Sequence, residues 1–144
     1  MDRFVKIICT ICARGGSKGV KNKNLKLILG KPLIAHTIQM AKKSGLFEYI
    51  AVSSDSMDIL NCAEKYEADL VIERPAELAT DAAAKLPVIQ HAFFAAEKNY
   101  QTHFDILVDL DCTSPLRNVD DLRLSLDLFI QKKEAANLIT GMNS

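Results

Sequence analysis

The 144-residue sequence has no surplus of either charge, because eighteen Lys and Arg stand against eighteen Asp and Glu. Without a net field, a polyanion such as nucleic acid, or an anionic membrane, is a poor partner for it. Long apolar runs are missing too: the longest span about eight residues, far below the ~20 that cross a bilayer. Met1-Asp2-Arg3 leads into no signal-peptide core, so a cytoplasmic location is the default expectation. The four cysteines, in a chain without an export signal, are expected to be reduced rather than paired. Neither a linker nor an internal repeat is visible. What is there, 49% hydrophobic and 25% charged residues over the length of one ordinary domain, is a globular composition that argues against disorder and coiled coil.

Residues 5–12 (VKIICTIC) are β-branched and almost continuously apolar, the pattern of a parallel strand covered on both faces. Cys9 and Cys12 make a CxxC inside it, but side chains three apart on a strand point to opposite faces, which favours buried thiols over a metal or redox pair. From Pro32 a helical pattern sets Leu33, Ile34, Thr37, Ile38 and Ala41 on one side and stops at Ser44-Gly45. Further strands are expected at 49–53, 69–73 and 104–110, and helices at 57–67, 86–99 and Val119–Lys132. Ser54-Asp55-Ser56 marks the start of the 57–67 helix, and Pro87 suits a first turn. The strand–helix alternation predicts an α/β fold with a three-layer, mainly parallel sheet. Residues 135–140 read as the opening of one more strand.

In such sheets ligands bind beyond the carboxyl ends of the strands, and four unusual loops fall on that edge, at 13–24, 53–56, 74–81 and 111–118. The first, Ala13-Arg14-Gly15-Gly16-Ser17-Lys18-Gly19-Val20-Lys21-Asn22-Lys23-Asn24, combines glycines that let a backbone approach an oxyanion with the charges of Arg14, Lys18, Lys21 and Lys23. It points to a polyphosphate, with a solvated basic turn as the plainer reading. Its pattern is neither the GxxxxGK loop completed by Ser or Thr nor GxGxxG.

ARGGSKGVKNKN after the first strand, VSSD after the second, RPAELATDAA after the third and TSPLR after the fourth occur in the order seen in CMP-sialic acid synthetases. The chain resembles the acylneuraminate cytidylyltransferase family along nearly its whole length. That resemblance implies a Rossmann-like nucleotide-diphospho-sugar transferase fold, with 1–144 as a single nucleotide-binding domain lacking the C-terminal third of a family member. It implies a reaction of CTP with a nine-carbon 2-keto sugar acid, in which the anomeric hydroxyl attacks the α-phosphorus to give the CMP-sugar and pyrophosphate. Mg²⁺ or Mn²⁺ is the implied cofactor, and a homodimer the implied assembly at full length. With the downstream metal-binding acidic pair missing, the expectation for this chain is CTP binding with weak or no turnover.

By position, Ala13, Arg14, Gly15, Gly16, Ser17, Lys18 and Asn24 match the family's nucleotide loop, with Arg14 and Lys18 assigned to the triphosphate and the leaving pyrophosphate. Lys23 matches the loop's second basic position, and Lys21 reads as an exposed charge. Arg74 matches the arginine that helps hold cytidine, beside Ala79, Thr80 and Asp81. Asp111, Thr113, Ser114 and Arg117 match the acceptor side, although the family commonly has Gln-Pro where this chain has Asp111-Cys112. Asp111 is also a candidate metal ligand. It shares a strand face with Asp109, for which a buried, paired strand role is the competing reading. Asp55 is open between helix capping and ligand contact, and Glu77 between a loop carboxylate and the site. Lys85, where small hydroxyl residues are frequent in the family, could meet a sugar carboxylate or be an ordinary first-turn charge. His36, His91 and His103 read as core, surface or cap residues. Competing functions are a sugar nucleotidyltransferase with another acceptor, such as an eight-carbon keto acid of the KDO type, or a nucleotide-binding module without catalysis. A flavodoxin-like regulatory domain would leave Arg74 and TSPLR unexplained.

Overall fold

A computed structural model describes residues 5–15, 23–78, 85–112, 119–132 and 139–140. The strands are β1 (Ile7–Cys12), β2 (Leu27–Ile28), β3 (Lys31–Pro32), β4 (Tyr49–Ser54), β5 (Leu70–Glu73), β6 (Ile106–Leu110) and β7 (Ile139–Thr140). The helices are α1 (Leu33–Ser44), α2 (Met57–Lys65), α3 (Lys85–Tyr100) and α4 (Val119–Lys132). β2 and β3 form a small antiparallel hairpin that the sequence-based expectation does not include. The other five strands make one sheet in the order β5-β4-β1-β6-β7, with each neighbouring pair parallel. The expected strand at 135–140 is present as the short β7.

The period of two along each strand divides the core between the two faces of the sheet. Ile7, Cys9 and Ile11 of β1, Ile50 and Val52 of β4, and Val108 and Leu110 of β6 pack with Leu33, Ile34, Ile38, Ile59, Ala63, Leu122 and Leu126, so α1, α2 and α4 cover this face. Ile8, Ala51 and Ile72 turn the other way, onto Ala92 and Ala96 of α3 and onto Phe104. The three layers follow directly. Cys9 and Cys12 face opposite sides as their spacing requires, and no disulfide joins any of the four cysteines.

Helix ends follow local chemistry. Ile59 N–H donates to Ser56 Oγ at 3.3 Å, which caps α2. Gly45 ends α1 at φ 67°, a left-handed conformation that favours glycine, with its N–H on Lys42 O.

From β1 the chain moves outward through β4 to β5, then returns across the α3 face to β6 on the far side of β1. That reversal makes the carboxyl ends of β1 and β6 the topological switch point, where open α/β sheets form their ligand crevice.

Candidate active site

At the carboxyl end of β1, Ala13 N–H still donates to Ser53 O (2.9 Å). Beyond it, Gly15 N–H donates to Asp55 Oδ1 at 3.0 Å, and Asn24 Nδ2 donates to Arg14 O at 3.0 Å. Asn24 belongs to the 3-10 turn Lys23–Leu25, so its bond brings the exit of the basic loop back onto its entrance. Gly15 lies so close to α2 that a β-carbon there would stand 2.6 Å from Ser56 Cβ. The first glycine of the loop therefore serves close approach. Asp55 was open between capping and ligand contact; the cap is Ser56, and Asp55 instead anchors the basic loop.

Arg74 follows β5 and is 5% exposed. Its N–H donates to Ser54 O (2.8 Å) and its Nη2 to Ser53 O at 3.4 Å, while among the described residues its buried Nε and the neighbouring buried Ser53 Oγ have no hydrogen-bond partner. Burial pushes the guanidinium down from its ordinary value, Asp55 draws it up and Arg14 opposes it. The two arginines thus share one end of the sheet. A buried, orphaned donor is costly unless something satisfies it, so Arg74 Nε is open to an acceptor.

On the α3 face of the switch point, Thr10 and Asp109 are cross-strand partners, and Thr10 Oγ1 donates to Asp109 Oδ1 at 2.8 Å. Asp109 is 1% exposed, and burial lifts its carboxyl to about 6 against the pull of the Thr10 hydroxyl, Lys85 and the Cys12 thiol. Burial also raises the Cys12 thiol well above its ordinary value, and the Asp109 charge adds to the rise, which keeps the thiol protonated and unreactive. Lys85, the first residue of α3, places Nζ 3.7 Å from Asp109 Oδ2 and 3.5 Å from Asp111 Oδ2. The reading of Asp109 as a buried, paired strand residue is correct. Lys85 is the exposed first-turn charge that its position suggests, and its ammonium also lies within ion-pair distance of two carboxylates.

Ala13, Arg14, Gly15, Asn24, Arg74 and Asp111 therefore gather along the carboxyl edge, and Lys23 opens the turn that closes the loop. Gly16, Ser17, Lys18, Lys21, Ala79, Thr80, Asp81, Thr113, Ser114 and Arg117 lie outside the described residues. Glu77 is exposed in the turn Ala76–Leu78. His36 Nε2 meets Ile28 O and His103 faces Glu97, while His91 is half-buried on α3 with its buried Nδ1 lacking a hydrogen-bond partner among the described residues. Thr10, Cys12 and Ser53 were not singled out by the sequence as site residues; their strand parity and position before the loops were the available signal. A cavity of about 610 Å³ lined by Gln39, Met40, Lys42, Lys43, Lys65, Tyr66, Glu67 and Val119 lies by the last turns of α1 and α2 and holds none of these groups.

The acidic pair suits a hard cation in one respect, since both carboxylates already reach a single positive centre. Among the described residues no cluster of three His, Cys, Asp or Glu could hold a metal. Mg²⁺ commonly takes one or two carboxylates and completes its shell with substrate phosphates and water, so the pair fits that mode and not an all-protein cage.

The sequence model of the family described as "Cytidylyltransferase" matches residues 8–136. The chain belongs to the cytidylyltransferase family. It is 45% identical over 137 residues to post-translational flagellin modification protein B of Campylobacter coli, covering 95% of this chain and 58% of that protein. It is 47% identical over 112 residues to the CMP-N,N'-diacetyllegionaminic acid synthase of Campylobacter jejuni, covering 78% of this chain and 48% of the synthase. The chain thus spans about half the length of these relatives. Its fold superposes, with a TM-score of 0.70 and 20% identity, on the CMP:2-keto-3-deoxy-manno-octonic acid synthetase complexed with CTP, over 89% of this chain and 48% of that one. The nucleotide-diphospho-sugar transferase fold expected from the loop motifs is the fold observed. Among the described residues no helix is long and apolar enough to cross a membrane.

Proposed function

We propose that the chain carries the CTP-binding part of an enzyme that activates a nine-carbon 2-keto sugar acid as its CMP derivative, releasing pyrophosphate. The observation that carries this reading is that the two ends of the basic loop, the buried Arg74 and the Lys85–Asp109–Asp111 group lie along one carboxyl edge of the sheet in a cytidylyltransferase-family chain.

In the proposed reaction the anomeric hydroxyl oxygen of the acid forms a bond to the α-phosphorus of CTP, its proton passing to solvent, while the bond from that phosphorus to the bridging oxygen of pyrophosphate breaks. Such transfers need little covalent help and rest on positioning and charge. Arg14 and Lys18 are assigned to the triphosphate, where negative charge grows on the leaving group. The open Nε of Arg74 serves the cytidine side together with backbone groups of 79–81, which would reject other bases by leaving hydrogen bonds unmade. Asp111, with Thr113, Ser114 and Arg117, belongs to the acceptor side, and Asp111 is the residue that would hold Mg²⁺ or Mn²⁺. When bound, the ion would supply neutralisation of phosphate charge.

The acceptor is proposed to be of the legionaminic or acylneuraminic type, supported by the 47% identity to the legionaminic acid synthase. The test is pyrophosphate release by the complete enzyme given CTP, Mg²⁺ and a panel of legionaminic, pseudaminic, N-acetylneuraminic and KDO acids. Release with one of the nine-carbon acids is expected. Release only with KDO would reassign the acceptor, and no release with any acid would overturn the proposal.

A further inference from the structure

Among the described residues, the Lys85 ammonium is the positive group placed against both carboxylates at the end of β6, 3.7 Å from Asp109 and 3.5 Å from Asp111. Its position is a product of topology. α3 begins at the carboxyl edge, covers the sheet face toward which Thr10, Cys12 and Asp109 point, and so delivers its first side chain to the switch point.

We infer that Lys85 is a resident cation for this acidic pair, filling the place between Asp109 and Asp111 while the site is empty and giving it up when a divalent ion arrives with the nucleotide. The inference rests on the cytidylyltransferase reading above and deepens it by naming the residue that sets metal affinity. Three features suit Lys85 to the role. Asp109 is 1% exposed and Asp111 26%, so two neighbouring carboxylates withdrawn from water gain from a positive neighbour. The lysine side chain is 49% exposed, and a half-solvated ion pair is worth little, so it separates at low cost. A flexible four-carbon stem lets the ammonium move aside without moving α3. Lys85 is thus a positioning residue that competes with metal, and it takes no part in bond making.

The test uses Mn²⁺ as probe, with bound ion read from the loss of the free-ion paramagnetic resonance signal, for the full chain with equimolar CTP and for Lys85→Met, Lys85→Arg and Asp111→Asn. Circular dichroism establishes that each variant is folded. Removing the competing charge is expected to tighten Mn²⁺ roughly two- to fivefold in Lys85→Met, the fold-change that matches the small worth of a half-solvated ion pair. Lys85→Arg, which keeps the charge, should show no such gain, and Asp111→Asn should bind more weakly than the native chain. Equal or weaker Mn²⁺ binding by Lys85→Met, or no Mn²⁺ binding by native and variant alike, would overturn the inference. Metal-free CTP binding, measured separately by calorimetry, distinguishes the two failures: CTP bound with unchanged Mn²⁺ affinity defeats the role of Lys85 alone, whereas no CTP bound by the folded chain defeats the functional reading beneath it.

Discussion

Asp109→Asn removes an ionisation that the fold makes costly, and the cost can be worked from the structure. The Asp109 carboxyl is 1% exposed and lies at about 6 against an ordinary 3.8, chiefly through burial; the Thr10 hydroxyl, Lys85 and the Cys12 thiol hold it lower than burial alone would, and Asp111 pushes it up. A carboxyl raised in the folded state contributes stability that is fully present below about pH 3.8 and is lost as pH rises through about 6. A rise of about two units corresponds to about 3 kcal/mol. Asparagine carries no such dependence. Its side-chain oxygen can still accept from Thr10, while the half-exposed Lys85 loses one of its two carboxylate partners, at ~0–1 kcal/mol. Relative to the native chain, the variant should therefore gain roughly 2–2.5 kcal/mol between pH 4 and pH 7.5, and be about 2 kcal/mol more stable at the upper end. Urea unfolding of both chains, followed by circular dichroism in a chelator at several pH values across that window, measures the difference. A difference flat within about 0.5 kcal/mol, or one that moves against the variant as pH rises, would refute the reasoning.

Other consequences are equally direct. Gly15→Ala sets a β-carbon 2.6 Å from Ser56 Cβ, and the resulting displacement should cost about 1–3 kcal/mol, visible as a lower Tm. Lys18→Ala should weaken CTP by about 1.5–3 kcal/mol and CMP by less, because a charge-assisted contact to the outer phosphates is lost; equal losses in calorimetry would remove Lys18 from that role. Arg74→Met keeps the aliphatic stem in place but removes the open donor, so CTP binding should fall roughly tenfold or more while Tm holds or rises, since a buried charge is removed.

The local chemistry of the sequence determined much of the fold. Period-two burial in β1 separates Cys9 from Cys12, Gly45 ends α1, and Ser56 starts α2, each through contacts within a few residues. The two-residue strands β2 and β3 escaped it, because pairs that short carry no periodicity. The four loops were legible as one edge because alternating strands and helices force their carboxyl ends to one side. Sequence could not decide the roles of Asp55, Asp109 and Lys85, whose partners are distant in the chain: Asp55 meets Gly15, Asp109 meets Thr10, and Lys85 meets Asp109 and Asp111. Those meetings depend on strand order, which sets β6 beside β1 and sends α3 across the opposite face. Residue type and spacing thus determined that basic and acidic groups would collect at the carboxyl edge. Tertiary structure alone decided which carboxylate anchors the loop and which is buried, and that a lysine holds the acidic pair, because pairing and desolvation arise only when distant segments pack.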